Sequence, residues 1–256
     1  MYFDTVIVGG GSAGCCLAGR LSEDPNMSVC LIEAGPADKD PRIKIPLGLI
    51  ALIGNPRFDW CYESAPHAHM GGHTVPVPRG KVLGGSGSIN SMVYIRGRAS
   101  DYDAWVRLGC SGWNWESVLP YFIKAESNQT FADDALHGSD GPLRVEDLRS
   151  PDPMLKQYAA AGQEHGIPEN RDFNGSRQEG IGTYQATMRK GRRWSAADAY
   201  LKPAIGRKNL HIVTGREVES IDFEGKIARR VKLRGAKPEE AIGINEKLIL
   251  CAGTIG

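Results

Sequence analysis

The sequence predicts an α/β fold built on a mostly parallel sheet, and three observations support this prediction. The apolar run Phe3–Val8 has the composition of a strand, and the glycine-rich run Gly9–Gly14 follows it directly. The next nine residues place small and apolar side chains on one face of a helix. A second apolar run, Val29–Ile32, then ends at Glu33. A strand, a glycine turn, a helix and a strand within about thirty residues form a βαβ unit, whose two strands are parallel.

The glycine turn has the spacing of a dinucleotide-binding loop, because Gly9, Gly11 and Gly14 fit G-x-G-x-x-G. The first glycine permits the tight turn, the second lets the backbone approach a pyrophosphate, and the third lets helix and strand pack closely. The helix N-terminus offers free N–H groups to the phosphates. A carboxylate at Glu33 would accept hydrogen bonds from ribose hydroxyls and repel a 2′-phosphate, which disfavours NADP. The motif alone does not separate FAD from NAD.

Composition excludes several classes of function. Lys and Arg number 31 against 30 Asp and Glu, so a net charge of +1 gives no reason to expect nucleic acid as a partner. The six cysteines include no C-x-x-C pair, which favours reduced thiols in a cytoplasmic protein, and no Cys/His spacing suits a metal. The apolar stretch Ile45–Gly54 is too short to span a bilayer and contains Pro46. We expect no transmembrane segment, and peripheral contact with the inner membrane stays open.

The remaining elements follow from periodicity and from turn residues. Residues 36–78 are irregular, which in a compact protein favours a functional or ligand-covering segment. Asp152-Pro153 should start a helix whose inner face carries Leu155, Tyr158, Ala159 and Gly162. Other predicted helices are Asp101–Leu108, Trp115–Ala125 and Ser195–Leu201, and other predicted strands are Gly182–Met188, Leu210–Thr214, Val218–Phe223, Ala228–Leu233 and Leu248–Leu250.

A second glycine-rich run lies at Gly80–Gly97. Gly84–Gly87 can form a close-approach loop with exposed N–H groups, and Asn90 and Ser91 then stand beside the apolar Met92 and Val93. This mixture suits a planar heterocycle that needs polar contacts at its edge and apolar packing on its face. The alternative is a Gly/Ser surface linker, which is disfavoured because the run continues into an apolar segment.

The stretch Gly80–Trp105 resembles the first signature of the glucose–methanol–choline (GMC) family of flavin oxidoreductases. The matching residues are Gly80, Lys81, Leu83, Gly84, Gly85, Ser86, Gly87, Ile89, Asn90, Tyr94, Gly97 and Asp103. VIVGGGSAG and IEAG resemble the family's FAD-binding N-terminus, and SGWNWESVLPYF and RWSAADAYLKPA resemble its bacterial alcohol and choline dehydrogenase branch. The resemblance covers in effect the whole chain.

The resemblance implies FAD as the cofactor. In this family, the backbone around the position that matches Val82 and the segment that matches Asn90, Ser91, Met92 and Val93 touch the flavin, and we expect Gly84 and Gly85 of the close-approach loop to bind the cofactor with them. The positions that match Ser12, Ala13 and Ala34 join Gly9, Gly11, Gly14 and Glu33 in the dinucleotide loop, and the position that matches Val218 contacts the adenine. Some members attach FAD covalently to a histidine where this chain has Ile89, so we expect non-covalent FAD.

The resemblance also implies a domain order. Residues 1–150 form a Rossmann-like FAD-binding domain, with the flavin-contacting loop at 80–97. Residues 151–205 begin an α+β substrate domain with an antiparallel sheet, and residues 206–256 return strands to the FAD domain. The final CAGTIG looks like the opening of the family's second signature, so we expect a truncated chain.

The expected reaction is oxidation of a primary alcohol by hydride transfer to FAD. The substrate could be an aliphatic alcohol, a polyether alcohol or choline, and a quinone-like electron acceptor is favoured over O₂. The family's catalytic base is a histidine in the C-terminal half, outside this sequence. We therefore assign no catalytic residue among His67, His69, His73, His137, His165 and His211, and no metal ligand.

Two alternatives to an alcohol dehydrogenase stay open. One is a module that binds FAD without catalysis, and the other is an NAD-dependent dehydrogenase, which the second glycine run disfavours.

Two further groups of residues are interpreted as structural and not functional. The basic cluster Arg189–Arg193 should be a solvated turn, and Trp60, Trp113 and Trp115 should be packing residues.

Overall fold

The structure is a computed structural model that describes all of residues 1–256. The chain forms two compact units. The first unit comprises residues 1–91 and 193–256, and the second unit comprises residues 92–192. The α-helices are α1 (Ser12–Leu21), α2 (Pro41–Lys44), α3 (Leu49–Leu52), α4 (Ala99–Arg107), α5 (Trp115–Ala125) and α6 (Pro153–Glu164). The strands are β1 (Tyr2–Val8), β2 (Val29–Glu33), β3 (Tyr62–Glu63), β4 (Pro76–Val77), β5 (Glu126–Asn128), β6 (Leu143–Val145), β7 (Met188–Arg189), β8 (Arg192–Arg193), β9 (Leu210–Thr214), β10 (Val218–Glu224), β11 (Ile227–Leu233) and β12 (Ile242–Leu250).

The first unit is built on a six-stranded sheet with the order β10-β11-β12-β1-β2-β9. β12, β1, β2 and β9 are parallel neighbours, and β10 and β11 extend the sheet in the antiparallel direction. The predicted α/β class with a mostly parallel sheet is confirmed. β1 is central because it pairs with β2 on one side and with β12 on the other.

Both faces of this sheet are buried, as the continuous apolar runs of its parallel strands require. Ile7 and Leu31 lie in one core cluster together with Cys15 of α1. Val6 and Ile32 point to the opposite face and pack in a second cluster with side chains of β11 and β12. Side chains alternate along a strand, so neighbouring residues of β1 and β2 serve different cores.

An ion cluster ties the segment after β2 to a π-helical turn at Ala197–Leu201. The Lys44 Nζ lies 2.8 Å from Asp38 and 2.7 Å from Asp198, and the Lys202 Nζ makes the same two contacts at 2.8 and 2.7 Å. Burial raises the pKa of Asp198, but the two ammonium groups outweigh burial and hold it below its usual range.

The second unit contains a buried polar network that the sequence did not indicate. The His137 Nδ1 lies 3.1 Å from Glu126, its Nε2 lies 3.0 Å from Asp172, and the Arg96 Nη2 lies 2.6 Å from Glu126. Burial lowers the pKa of His137, but its hydrogen bonds to the two carboxylates outweigh burial and raise it to about 9. His137 is therefore a buried imidazolium at neutral pH.

Several predicted elements differ from the structure. The predicted strand Gly182–Met188 is wrong except at its end, where β7 begins at Met188 and an isolated bridge forms at Ala186. The predicted inner face of α6 is wrong for Leu155 and Tyr158, which are 42% and 70% exposed. The domain boundaries at residues 150 and 205 stay a prediction. No helix combines the length and apolar character that crossing a bilayer requires.

Candidate functional site

A cleft of about 710 Å³ opens in the first unit at the carboxyl ends of its parallel strands. Val8 of β1, Glu33 of β2 and Leu250 of β12 line it where their strands end. Parallel strands end at the same edge of a sheet, and ligands of open α/β sheets bind outside that edge. The volume lies within the range of small-molecule sites, about 300–1,000 Å³.

Two glycines of the first loop are required by packing within the protein. A β-carbon on Gly9, whose φ is +99°, would lie 2.4 Å from the Cys251 carbonyl oxygen. A β-carbon on Gly14 would lie 1.9 Å from the Gly9 carbonyl oxygen. Any side chain at either position would displace backbone, so these glycines let the loop, α1 and the end of β12 come together.

Gly11 is different, because nothing in the protein requires a glycine there. Its φ of −75° is open to any residue. A β-carbon would lie 3.9 Å from the Gly85 Cα and 4.0 Å from the Cys251 oxygen, which are ordinary contact distances. Because Gly11 also lines the cleft, a side chain there would border the space that a ligand would fill. The position fits close approach by a bound molecule.

The N-terminus of α1 forms one wall of the cleft. Ser12 and Ala13 line the cleft and are exposed. No side chain caps this helix, and its first turn contains no acidic residue. The N–H groups of a first helical turn lack partners within the helix and carry the positive end of its dipole. A diphosphate fits this donor set.

The two glycine loops contact each other backbone to backbone. The Gly84 N–H donates to the Gly10 carbonyl at 2.7 Å, and a β-carbon on Gly85 would lie 2.7 Å from the Gly11 Cα. Gly85 and Ser86 line the cleft, whereas Gly84 is buried behind it. The second glycine run is therefore needed to bring this backbone against the first loop.

Glu33 lines the cleft, but its carboxylate already holds the backbone. Its two oxygens accept hydrogen bonds from the N–H of Gly10 at 2.7 Å and of Gly35 at 2.8 Å. The side chain is 5% exposed, and burial raises its pKa against the effect of these two donors. Each carboxylate oxygen has a second lone pair, so a ribose contact remains open to it. Ala34, next in the chain, also lines the cleft.

The other predicted site residues are dispersed. Val218, at the start of β10, lines the cleft. Val82 is fully buried against an apolar cluster and does not line it. Asn90 and Ser91 belong to the first unit and are exposed, but they do not line the cleft.

Met92 and Val93 belong to the second unit, whereas the cleft is lined by residues of the first unit. Met92 is buried with Ala186 and Met188, and Val93 is 47% exposed. Their contact with a flavin stays a prediction.

Sequence reasoning missed part of the cleft wall. Trp60, which we expected to pack, lines the cleft with Tyr62, and their parallel rings have centroids 6.0 Å apart. Arg79, Arg216 and Glu217 also line it. For Trp60, Tyr62 and Arg79 the available signal was the long irregular stretch that contains them or adjoins them. For Arg216 and Glu217 the only signal in the sequence was their position in a turn between two predicted strands.

The prediction of a solvated basic turn is wrong for Arg193. This residue is 1% exposed, whereas Arg192 beside it is exposed. Its guanidinium donates to the carbonyls of Ile43 at 2.9 Å, Gly87 at 3.1 Å and Asn90 at 2.7 Å, and to the Asn90 Oδ1 at 2.8 Å. A run of basic residues does not show which one turns inward.

The histidines of the first unit, which are His67, His69, His73 and His211, do not line the cleft. His137 lies in the buried network of the second unit, and His67 and His69 are exposed with their ring centroids 5.3 Å apart. The first-unit lining of the cleft therefore contains no imidazole.

Comparisons with known proteins agree with this geometry. The family model described as GMC oxidoreductase matches residues 3–256. Alcohol dehydrogenase [acceptor] of Pseudomonas putida is 47% identical over 226 residues, which are 88% of this chain and 41% of that protein. Oxygen-dependent choline dehydrogenase of Brucella anthropi is 42% identical over 255 residues, which are 100% of this chain and 46% of that protein. The chain thus spans less than half the length of these curated relatives.

Solved structures show the same fold. Pyridoxine 4-oxidase from Mesorbium loti is 38% identical with a TM-score of 0.90, and the match covers 98% of this chain and 49% of that one. An FAD-dependent oxidoreductase from Chaetomium thermophilum is 31% identical with a TM-score of 0.87, and the match covers 98% and 45%.

Proposed function

Because the chain belongs to the GMC oxidoreductase family, we propose that its first unit binds FAD for an enzyme that oxidises the CH–OH group of a primary alcohol. The observation that carries this proposal is Gly11. Neither its backbone conformation nor its protein neighbours require glycine, yet it borders the cleft at the N-terminus of α1. A diphosphate that approaches the backbone there accounts for it.

Each predicted site residue then has a proposed part in holding FAD. The N–H groups of Ser12 and Ala13 bind the pyrophosphate, Glu33 binds the ribose, and Val218 packs on the adenine. The proposed flavin-side residues are Val82, Gly84, Gly85, Asn90, Ser91, Met92 and Val93. Ile89 is 2% exposed and has no nucleophilic atom, which supports non-covalent attachment.

Bound at this cleft, FAD would supply the hydride acceptor for oxidation of a carbinol carbon, and a base would be needed for the hydroxyl proton. We propose that the histidines of this sequence do not supply that base, and the absence of first-unit histidines from the cleft lining supports this. What this chain's own residues contribute is binding and orientation of the cofactor.

The proposed substrate class is inferred by analogy with the relatives. An aliphatic alcohol, a polyether alcohol and choline all remain candidates, and the names of the relatives include an alcohol dehydrogenase and a choline dehydrogenase. We propose that the electrons pass to a quinone-like acceptor, which the bracketed "acceptor" in one relative's name supports.

We also propose a cytoplasmic protein that makes peripheral contact with a membrane. The segment that runs from the end of α2 into α3 exposes Ile45, Leu47 and Ile50 at 54%, 74% and 75%. Apolar side chains exposed together favour interfacial binding. In co-sedimentation with phospholipid vesicles, the wild-type chain should be recovered in the pellet with the vesicles. An Ile50→Ser variant should stay in the supernatant. Equal recovery of both in the supernatant would contradict the contact.

Titration of the purified chain with FAD and with NAD tests the binding proposal. We expect flavin fluorescence to be quenched on binding and NAD to leave protein fluorescence unchanged. Tight NAD binding without FAD binding would overturn the binding proposal.

An assay of alcohol-dependent dye reduction distinguishes an enzyme from the alternative, a module that binds FAD without catalysis. Dye reduction by these 256 residues alone would show that the sequence already holds a base.

A further inference from the structure

We infer that Arg193 is a positioning residue for the cofactor site, because its buried guanidinium fixes the turn that forms one wall of the cleft. The inference rests on the proposed function. The turn spans Gly85–Ser88, and Gly85 and Ser86 at its start line the cleft. Arg193 holds the other end through the carbonyl of Gly87 and through Asn90.

The turn needs an external clamp because its sequence gives it little stiffness. Gly84 and Gly85 have positive φ values of +89° and +57°. Glycines lose more backbone entropy on ordering than any other residue, so this wall would be mobile without added contacts. The hydrogen bond from Arg193 to the Ile43 carbonyl connects the turn to the segment that carries α2.

The guanidinium has a geometry that no other side chain reproduces. One group reaches the three carbonyls and the amide oxygen of Asn90 with four N–H···O bonds. A lysine has three donors on one atom and cannot span these directions. We therefore expect Arg193→Lys to fail at this position despite the conserved charge.

The charge of Arg193 has no carboxylate partner within ion-pair distance. The residue is 1% exposed, and its acceptors are neutral oxygens. Burial lowers its pKa to about 10, against the more distant charge of Asp198. A buried cation without a counterion is costly, so its retention behind the turn favours a role in holding these carbonyls in place.

The experiment compares Arg193→Ala and Arg193→Lys with Arg192→Ala, which removes the exposed neighbour. FAD affinity is measured by fluorescence titration, and amide hydrogen exchange is measured in the apo protein. We expect both Arg193 variants to raise the FAD Kd at least about tenfold. This change in binding free energy is about the size of one charge-assisted hydrogen bond. Exchange should rise in peptides covering residues 84–91 while β1 and β2 stay protected. Arg192→Ala should match the wild type in both measurements.

Chemical rescue separates positioning from a general loss of stability. Millimolar guanidinium ion should restore FAD affinity to Arg193→Ala, and urea, which is planar but uncharged, should not. Unchanged FAD affinity with unchanged exchange at 84–91 would overturn the inference, as would a uniform rise of exchange across the sheet. If Arg193→Ala does not fold, Arg193→Lys carries the same comparison.

The proposed function and the positioning role can fail separately. A wild-type chain that binds no FAD contradicts the proposed function. The exchange measurement on the apo protein would still show whether Arg193 orders the turn.

Discussion

Replacement of Gly11 by alanine should impair cofactor binding without harming the fold. The new β-carbon has 3.9 Å of clearance from the nearest protein atom, and a φ of −75° suits alanine. Loss of glycine at an N-cap costs up to about 1 kcal/mol, and lower entropy of the unfolded chain offsets part of it. We expect the free energy of unfolding to change by less than about 1 kcal/mol.

The effect on FAD should be much larger. A methyl group beside the first turn of α1 would displace the proposed diphosphate from at least one N–H donor. A hydrogen bond to a charged group contributes about 1.5–3 kcal/mol, so the Kd should rise about 10- to 150-fold. The assay is fluorescence titration with FAD, combined with urea unfolding of the apo protein.

Gly14→Ala is the matched control, because its β-carbon would lie 1.9 Å from the Gly9 carbonyl oxygen. It should destabilise the apo protein, whereas Gly11→Ala should not. If Gly11→Ala binds FAD within about twofold of the wild type, or unfolds as readily as Gly14→Ala, the reasoning about the cleft is refuted.

Three further predictions concern buried charges. Glu33→Gln places an amide N–H₂ against a backbone N–H donor, so the free energy of unfolding should fall by about 1–3 kcal/mol in urea titrations; an unchanged midpoint would contradict this. Asp198→Asn leaves its two lysine partners with one carboxylate, and thermal and urea unfolding should show a loss of about 3 kcal/mol. The pKa of His137 rises from 6.5 to about 9 on folding, so its stabilisation is complete below pH 6.5 and is lost as the pH rises through 9. His137→Gln should therefore be less stable than the wild type by up to about 3 kcal/mol at pH 6, with a gap that closes above pH 9; a gap that widens with pH would refute the sign.

Local patterns predicted the part of the fold that depends on neighbouring residues. The helix Trp115–Ala125 and the strand Leu210–Thr214 agree with the structure to the residue. The glycine spacing likewise placed a tight turn between β1 and α1, because strand, turn and helix are each encoded within a few residues. The residues within and next to these elements were sufficient to predict them.

Features that depend on distant residues could not be predicted in this way. Arg193 lies in a basic run that is typical of solvent, yet its acceptors come from residues about a hundred or more positions earlier. Tyr158 fits an apolar helical face, but helical periodicity does not show whether another element covers that face. Trp60 reaches the cleft from an irregular segment that has no period to interpret.

The pairing of β1 with β12 sets an order of events during protein synthesis. Tyr2 lies beside Gly243, so one edge of the central strand stays unpaired until β12 has left the ribosome. Contacts between such distant residues form slowly, and an open strand edge invites association with other chains. Residues 92–192 are continuous and can fold meanwhile. Cofactor loading should thus follow the pairing of β12 with β1, and nascent chains would benefit from a chaperone that shields β1.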